Sequence, residues 1–368
     1  MSLLNPRRLA GPRRFSPLSM FEALATPHGV DRYLELVNPM LTVRELRAEV
    51  IAVERPTNDS VRLTLRPTRQ WQGFQAGQFV SVSVDINGVR RTRCYSPASS
   101  QRRSDGLFEL TVKAHPHGLV SQYLHAQARP GMVVGLSQAD GTFRLPSPRP
   151  DKILLISGGS GITPVMSMLR TLCDEGYRGE IVFLHYAFGP QHVAYLDELQ
   201  QLAAAHPNVR LALAYTQERS GGDLHGLFQE SHLADVAAWY ADAHTYLCGP
   251  PGLMTAVRAH FEGRDLAERL YTEDFAPAPV APLNGDVTGA TRFGSLATEN
   301  AGETLLEQAE AAGLSPEHGC RMGICFSCTQ VKTSGCVQNI RTGEINSDPD
   351  VEVQLCISRA VGDVAINL

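Results

Sequence analysis

The chain has 368 residues, 43% apolar and 19% charged, which is the composition of a soluble globular protein with enough length for two or three cores. Its formal net charge of −5 carries no basic imbalance, so nucleic acid is not an expected partner. No uninterrupted apolar run approaches the roughly 18 residues needed to span a bilayer, so no transmembrane segment is expected.

Residues 1–42 form an N-terminal extension. Arg7, Arg8, Arg13 and Arg14 open it, but Pro17, Ser19 and Glu22 interrupt the segment after them, so it lacks the apolar stretch of a signal peptide. A cytoplasmic protein with reduced thiols is expected. Phe21, Leu24 and Ala25, then Tyr33, Leu34 and Val37, recur at helical spacing and predict short helices separated at Pro27. The arginines fit an arm that meets anionic lipid or a membrane-bound partner peripherally, but a solvated tail ahead of helices packed on the body is the preferred reading.

Residues 43–148 read as an antiparallel β-barrel. Val50–Val53, Val61–Leu65 and Phe79–Val84 alternate with period two, and Asn87-Gly88 is a hairpin turn. Arg93-Cys94-Tyr95-Ser96 comes after that turn. It offers a cation, an aromatic plane and a hydroxyl at one strand end, a set that suits a flavin: Arg93 for phosphate, Tyr95 for the ring and Ser96 near N5. Tyr95 alone could as well be a cross-strand aromatic. Gly118-Leu119-Val120-Ser121 reads as a turn opening a helix, where a pyrophosphate would find free N–H groups.

Residues 149–278 alternate apolar strands with helical patterns and predict a doubly wound α/β sheet. Ile153–Ile156 runs into Gly158-Gly159-Ser160-Gly161-Ile162-Thr163-Pro164 and then a helix. A buried strand, a glycine turn and a helix N-terminus make a phosphate cradle. Later strands end at Cys248-Gly249-Pro250 and at Glu273-Asp274-Phe275.

Ala276–Pro282 begins a proline-alanine linker over 279–290, extended and semi-rigid by composition. Within 291–368, Thr291–Leu296 predicts a strand and Thr304–Ala312 a helix. Cys320, Cys325 and Cys328 then sit in one loop, and 27 residues separate Cys328 from Cys356. C-x4-C-x2-C with a distant fourth cysteine is plant-type [2Fe-2S] spacing, against the paired C-x2-C of zinc sites and the frameworks of small secreted chains. Gly319 and Gly323 permit the close wrap, and the order of elements is that of an α+β β-grasp ferredoxin, whose last strands would carry Cys356 and Val364-Ala365-Ile366. Cys94, Cys173 and Cys336 have no such spacing.

Together these strings resemble the ferredoxin-NADP reductase superfamily, in its three-module form with a C-terminal ferredoxin. The resemblance implies that Arg93, Tyr95, Ser96, the strand Thr111-Val112-Lys113 and Gly118–Ser121 hold FAD. It implies that Gly159, Ser160, Gly161, Thr163 and Pro164 receive the pyridine nucleotide, with Gly249 and Pro250 setting Cys248 beside the nicotinamide. Glu273 and Phe275 match the acidic and aromatic residues near the flavin, so Ser96, Cys248 and Glu273 are the expected catalytic residues. Cys248 could instead be a small buried thiol. NADPH, with NADH possible, is the expected donor. Relatives carry an arginine where this chain has Ala187-Phe188-Gly189-Pro190, which leaves Arg219 for the 2′-phosphate, or as a solvated loop residue.

Nicotinamide gives up a hydride, whereas an iron-sulfur cluster takes single electrons, and a flavin can do both. The implied path runs from NAD(P)H to FAD to [2Fe-2S] to an external acceptor, since the sequence carries no His-rich diiron box or haem motif. Reductases of this modular order serve oxygenases, hydroxylases and fatty acyl desaturases. Leu24–His28, Leu41–Arg44 and Ile156–Gly176 resemble those serving actinobacterial stearoyl-CoA desaturases, which are membrane proteins. A soluble ring-hydroxylating oxygenase is the second expected acceptor, and a redox-sensing iron-sulfur protein is the alternative of another class.

Overall fold

The computed structural model describes residues 30–275 apart from His117, and 287–368 apart from Cys320, Met322, Ile324 and Cys325. The expected helices before residue 30, the linker segment Ala276–Pro282 and two of the loop cysteines lie outside the described residues.

Helix α1 (Val30–Val37) precedes the barrel. Asp31 ties it down: its carboxylate accepts the backbone N–H groups of Val43, Arg44 and Glu45 at 2.5, 2.9 and 2.8 Å. Tyr33 and Val37, which share the predicted apolar spacing, are exposed, Val37 at 81% beside Leu36 at 84%.

Six antiparallel strands come next: β1 (Arg47–Thr57), β2 (Ser60–Pro67), β3 (Val80–Ile86), β4 (Val89–Tyr95), β5 (Phe108–Lys113) and, after helix α2 (Leu119–Gln127), β6 (Val133–Leu136). Their order is β4-β3-β6-β1-β2-β5, and a bridge between Pro97 and Leu110 joins the two edges. Asn87 and Gly88 take φ of 53° and 78°, the positive values that a two-residue turn matching strand twist requires. Val50, Leu63, Val82 and Leu110 fill the interior, and Val120 and Leu124 of α2 plug it.

The second layer system contains β7 (Lys152–Gly158), α3 (Ile162–Asp174), β8 (Glu180–Ala187), α4 (Leu196–Ala205), β9 (Val209–Tyr215), β10 (Leu224–His225), α5 (Glu230–Val236), β11 (His244–Cys248), α6 (Pro251–Glu262) and β12 (Leu270–Glu273). The sheet order is β10-β9-β8-β7-β11-β12, all parallel, so the winding reverses between β7 and β11. Ligands bind at such a reversal, beyond the carboxyl ends of the strands. Leu155, Phe183 and Tyr246 cover one face together with Phe143 and Ala98 from the barrel side. Leu154, Leu184 and Val257 cover the other. Tyr195 locks barrel to sheet: its hydroxyl bonds Thr111 Oγ1, and the guanidinium carbons of Arg62 and Arg170 lie 4.6 and 5.1 Å from its ring centroid.

The third sheet holds β13 (Ala290–Phe293), β14 (Leu296–Glu299), β15 (Thr329–Asn339), β16 (Ile345–Asn346), β17 (Val351–Gln354) and β18 (Ser358–Asn367), with helix α7 (Leu305–Ala311) packed on it. The segment Thr291–Leu296 is not one strand but the start of a hairpin, because Gly294 turns the chain at φ 55°. Thr304 and Glu307 cap α7 reciprocally. Cys356 lies not in a strand but in the helical turn Leu355–Ile357 between β17 and β18.

Candidate functional site

The site assembles where the parallel sheet reverses. Residues directly across neighbouring parallel strands share a face, and the register puts Ser157 of β7 opposite Cys248 of β11, and Cys248 opposite Glu273 of β12. The glycine turn above them is shaped by close approach. A Cβ on Gly161 would overlap the carbonyl of Cys248, and one on Gly158 would lie 2.8 Å from Pro250 Cδ. Gly159 adopts φ 51°. Helix α3 continues directly from a 3₁₀ turn over Gly159–Gly161, and the Ile162 N–H bonds the carbonyls of Gly159 and Ser160, so the chain turns tightly into the helix at the edge of the sheet. Thr163 donates from Oγ1 to the carbonyl of Ser160 at 3.3 Å, and Pro164 sits buried in the first helical turn.

Cys248 is fully buried. Burial, reinforced by the carboxylates of Glu273 and Asp274, pushes its thiol well above the usual range, so it stays protonated. Glu273 is also buried, and Ser96 from the barrel donates its hydroxyl to Oε2 at 3.3 Å. Burial raises this carboxyl to about 8, with the Ser96 hydrogen bond opposing the shift and Asp274 adding to it. The nearby cation does not relieve it, because Arg258 is bound to Asp274 at 2.6 Å. Phe275 packs, half-buried, against the apolar cluster that contains Cys248. Barrel and sheet thus bring a hydroxyl, a protonated thiol and a carboxyl of raised pKa together across one seam.

On the barrel edge, Tyr95 is largely buried beside Ser96, and burial pushes its phenol upward. Arg93 donates to the carbonyl of Thr92 at 2.7 Å and reaches across to the carbonyl of Gly319 at 3.4 Å, in the cysteine loop. Gly118 precedes α2, and a Cβ there would overlap Ser121 Oγ. That hydroxyl is engaged locally, donating to the carbonyl of Gly118 at 3.0 Å and accepting from His115 N–H at 3.3 Å. Ser121 therefore shapes the turn, Leu119 is exposed above it, and Val120 belongs to the barrel core. Thr111 and Val112 are buried, Thr111 against Tyr195, while Lys113 pairs with Asp59 at 3.1 Å. An aromatic, a cation and an uncapped helix start on one barrel edge fit a flavin dinucleotide.

In the cysteine loop, Arg321 and Phe326 take φ of 59° and 56°, and Gly323 takes 73° with its Cα so close to Ile357 that a Cβ would meet Cδ1 at 2.6 Å. Cys328 and Cys356 are buried, and the Cys356 N–H donates to Cys328 Sγ at 3.5 Å. An amide aimed at a cysteine sulfur is what a thiolate ligand of an anionic cluster requires, so the described part of the loop fits [2Fe-2S]. Phe326 stands 62% exposed at the tip. A cleft of about 1060 Å³ separates the loop from β3 and β4, lined by Ser83, Arg91, Leu314 and His318 among others.

Arg219 lies just after β9 and is exposed, next to Glu218, whose N–H bonds the carbonyl of Phe188 at 3.1 Å. Ser157 and His185, which sequence reasoning left unremarked, form a buried pair in the same row as Cys248, with Oγ and Nδ1 2.8 Å apart. Their only sequence signal was two polar side chains at adjacent ends of apolar strands.

Comparison with known proteins finds three families along the chain. An oxidoreductase FAD-binding domain matches residues 48–145, an oxidoreductase NAD-binding domain 155–259, and a 2Fe-2S iron-sulfur cluster binding domain 293–361. The chain is 37% identical over 350 residues to an NADPH oxidoreductase of Mycobacterium tuberculosis, covering 94% of this chain and 90% of that one. It is 30% identical over 319 residues to a glycine betaine monooxygenase reductase subunit of Pseudomonas aeruginosa, covering 80% and 87%. Among solved structures, phthalate dioxygenase reductase shares the fold, with a TM-score of 0.62 and 24% identity, covering 88% of this chain and 98% of that one.

Proposed function

The chain belongs to the flavin-dependent NAD(P)H oxidoreductases that carry a [2Fe-2S] ferredoxin module, and we propose that it supplies electrons to an external oxygen-activating enzyme, in the first place a fatty acyl-CoA desaturase. Electron transfer from NAD(P)H by way of FAD to [2Fe-2S] is the activity of the assembled modules. Bound FAD would supply the chemistry that couples a nicotinamide to a cluster, since a flavin can take the two electrons of one hydride and give them up one at a time.

The residues take these parts. Gly159, Ser160, Gly161, Thr163 and Pro164 bind the nucleotide diphosphate, and the Cys248-Gly249-Pro250 turn orients the nicotinamide. Cys248 acts as a neutral thiol, since its pKa lies far above physiological pH. Glu273 holds a proton below pH about 8, and the hydroxyl of Ser96 hydrogen-bonds its carboxyl from the barrel side of the seam. Arg93, Tyr95, Thr111, Val112, Lys113 and Gly118–Ser121 form the flavin side, Thr111 and Val120 through packing. Phe275 closes the seam. Cys320, Cys325, Cys328 and Cys356 hold the cluster.

The observation that carries the reading is the Ser96–Glu273 contact across the barrel–sheet seam, with Cys248 opposite Glu273 in register. The exit is the exposed Phe326, beside a small groove of about 290 Å³ whose lining includes Val337, Val351 and Ile357, with Glu344 and Glu352 at its rim. A desaturase acceptor is supported by the strings Leu24–His28 and Leu41–Arg44, and by the apolar Leu36 and Val37 presented on α1 behind the basic N-terminus. That combination suits a reductase visiting a membrane surface. A soluble oxygenase is the second reading, favoured by the similarity to a monooxygenase reductase subunit. Reconstitution separates them: with NADPH and an acyl-CoA, purified reductase should support double-bond formation by desaturase-bearing membranes. Cytochrome c reduction without any desaturation would remove the first reading and leave the second.

A further inference from the structure

His185 lies at the carboxyl end of β8, directly opposite Ser157 and therefore one residue below the start of the Gly158–Thr163 turn. It is 1% exposed. Burial, with the charge of Lys113 adding to it, drives the imidazole down to about 3, so the ring is neutral at any physiological pH. A neutral imidazole has one donor and one acceptor nitrogen. Nδ1 is engaged with Ser157 Oγ at 2.8 Å. With Ser157 donating its hydroxyl hydrogen, Nε2 carries the ring hydrogen, and Nε2 is buried with no partner among the described residues.

A buried donor left unpaired costs on the order of 1–3 kcal/mol, so such an atom in a binding region calls for a ligand. The location narrows which one. Ser157 and His185 share a sheet face with Cys248, the face on which the barrel packs. β8 packs against the Gly159–Gly161 turn. Helix α3 follows directly from that turn. The unpartnered Nε2 is thus carried by a strand that packs on the turn, and a buried donor there calls for an oxygen. A dinucleotide laid over that turn brings diphosphate and ribose oxygens there.

We propose that His185 is a further binding residue for the pyridine dinucleotide, its Nε2–H donating to a diphosphate or ribose oxygen, with Ser157 fixing the tautomer that makes this possible. The proposal rests on the reading of the glycine turn as the nucleotide cradle. FAD is the other dinucleotide of this protein and offers the same oxygens, so the experiment reads both.

In the holoenzyme, His185→Leu removes the donor at similar volume, and His185→Gln restores one. Anaerobic stopped-flow reduction of the flavin should give an apparent Kd for NADPH and for NADH about tenfold higher in the leucine variant, the value of one such bond. The limiting rate and FAD content should be unchanged, and glutamine should recover most of the affinity. Titration with ADP-ribose, read by calorimetry, should weaken in parallel and needs no turnover. Ser157→Ala, a milder change should the leucine variant fold poorly, should raise Kd about threefold by freeing the tautomer. Unchanged Kd values in both variants would overturn the proposal. So would loss of FAD with nucleotide affinity intact, since the donor would then serve the flavin. If the unmodified enzyme showed no flavin reduction by either nucleotide, the reading of the turn itself would fall, an outcome distinct from any of these.

Discussion

The two glycine-shaped loops of this molecule, the turn after β7 and the cysteine loop after α7, solve the same electrostatic problem in opposite surroundings. Under the proposed function each would hold an anion, the first a nucleotide diphosphate and the second an iron-sulfur cluster. Around the first, Ser157, Cys248 and Glu273 are buried, the thiol and the carboxyl protonated because burial leaves no better state. Around the second, Phe326 projects into solvent two residues from Cys328. The proposed function accounts for the difference by the species each loop would pass on. A hydride has to be exchanged in a dry seam where orientation and proton state are controlled, whereas a single electron has to leave toward another protein. Closed entry and open exit are thus built from similar backbone chemistry.

The comparison breaks most sharply at the exit. Cys328→Ser should abolish the cluster's visible absorption and lower cytochrome c reduction by about a hundredfold or more, while ferricyanide reduction, drawn from the flavin, survives. At the entry, Gly161→Ala should cost about 1–3 kcal/mol of stability, because its Cβ overlaps the Cys248 carbonyl, and thermal unfolding would register it. It should also slow NADPH-dependent flavin reduction at least tenfold, and an unchanged rate would show that the turn does not set the nicotinamide's position.

Glu273 gives a pH signature that the exit lacks. Its carboxyl is raised from 4.5 to about 8, so the folded state binds the extra proton. Its contribution to stability is fully present below about pH 4.5 and is lost progressively as pH rises toward 8. Flavin reduction should likewise fall above pH 8 with a single ionisation. Glu273→Gln should flatten both profiles while leaving the cluster spectrum intact.

The smallest effects belong to the rims. Phe326→Ala should raise KM for the protein acceptor severalfold with little change in ferricyanide reduction. Arg219→Ala should raise KM for NADPH about threefold and leave NADH alone, and an unchanged value would make Arg219 a solvated loop residue.

How much could be read from the chain depends on the range of the interactions involved. Asn87-Gly88 announced its turn because only residues tolerant of positive φ fit there. The β7 turn and the cysteine spacing were legible because backbone approach and metal geometry act over a few residues. Seams between modules were not. Ser96 and Glu273 meet across 177 residues, and nothing local in either strand encodes the partner. His185 looked like an ordinary member of an apolar strand, since its pairing with Ser157 depends on which strands become neighbours. Tyr33 and Val37 keep helical spacing yet face outward, because the contacts that hold α1 are polar: Asp31 accepts the Val43–Glu45 N–H groups and Glu35 pairs with Arg47. Cys356 fell in a helical turn instead of a strand because the chain must leave β17 to bring the sulfur beside Cys328.

The central claim is that electrons enter at the Cys248–Glu273 seam and leave through the cysteine loop. Anaerobic stopped-flow mixing with NADPH, monitored at flavin and cluster wavelengths, tests it most directly. The account predicts flavin bleaching first and cluster reduction after it, with Cys328→Ser retaining only the first phase. A cluster that stays oxidised while the flavin is fully reduced would contradict it.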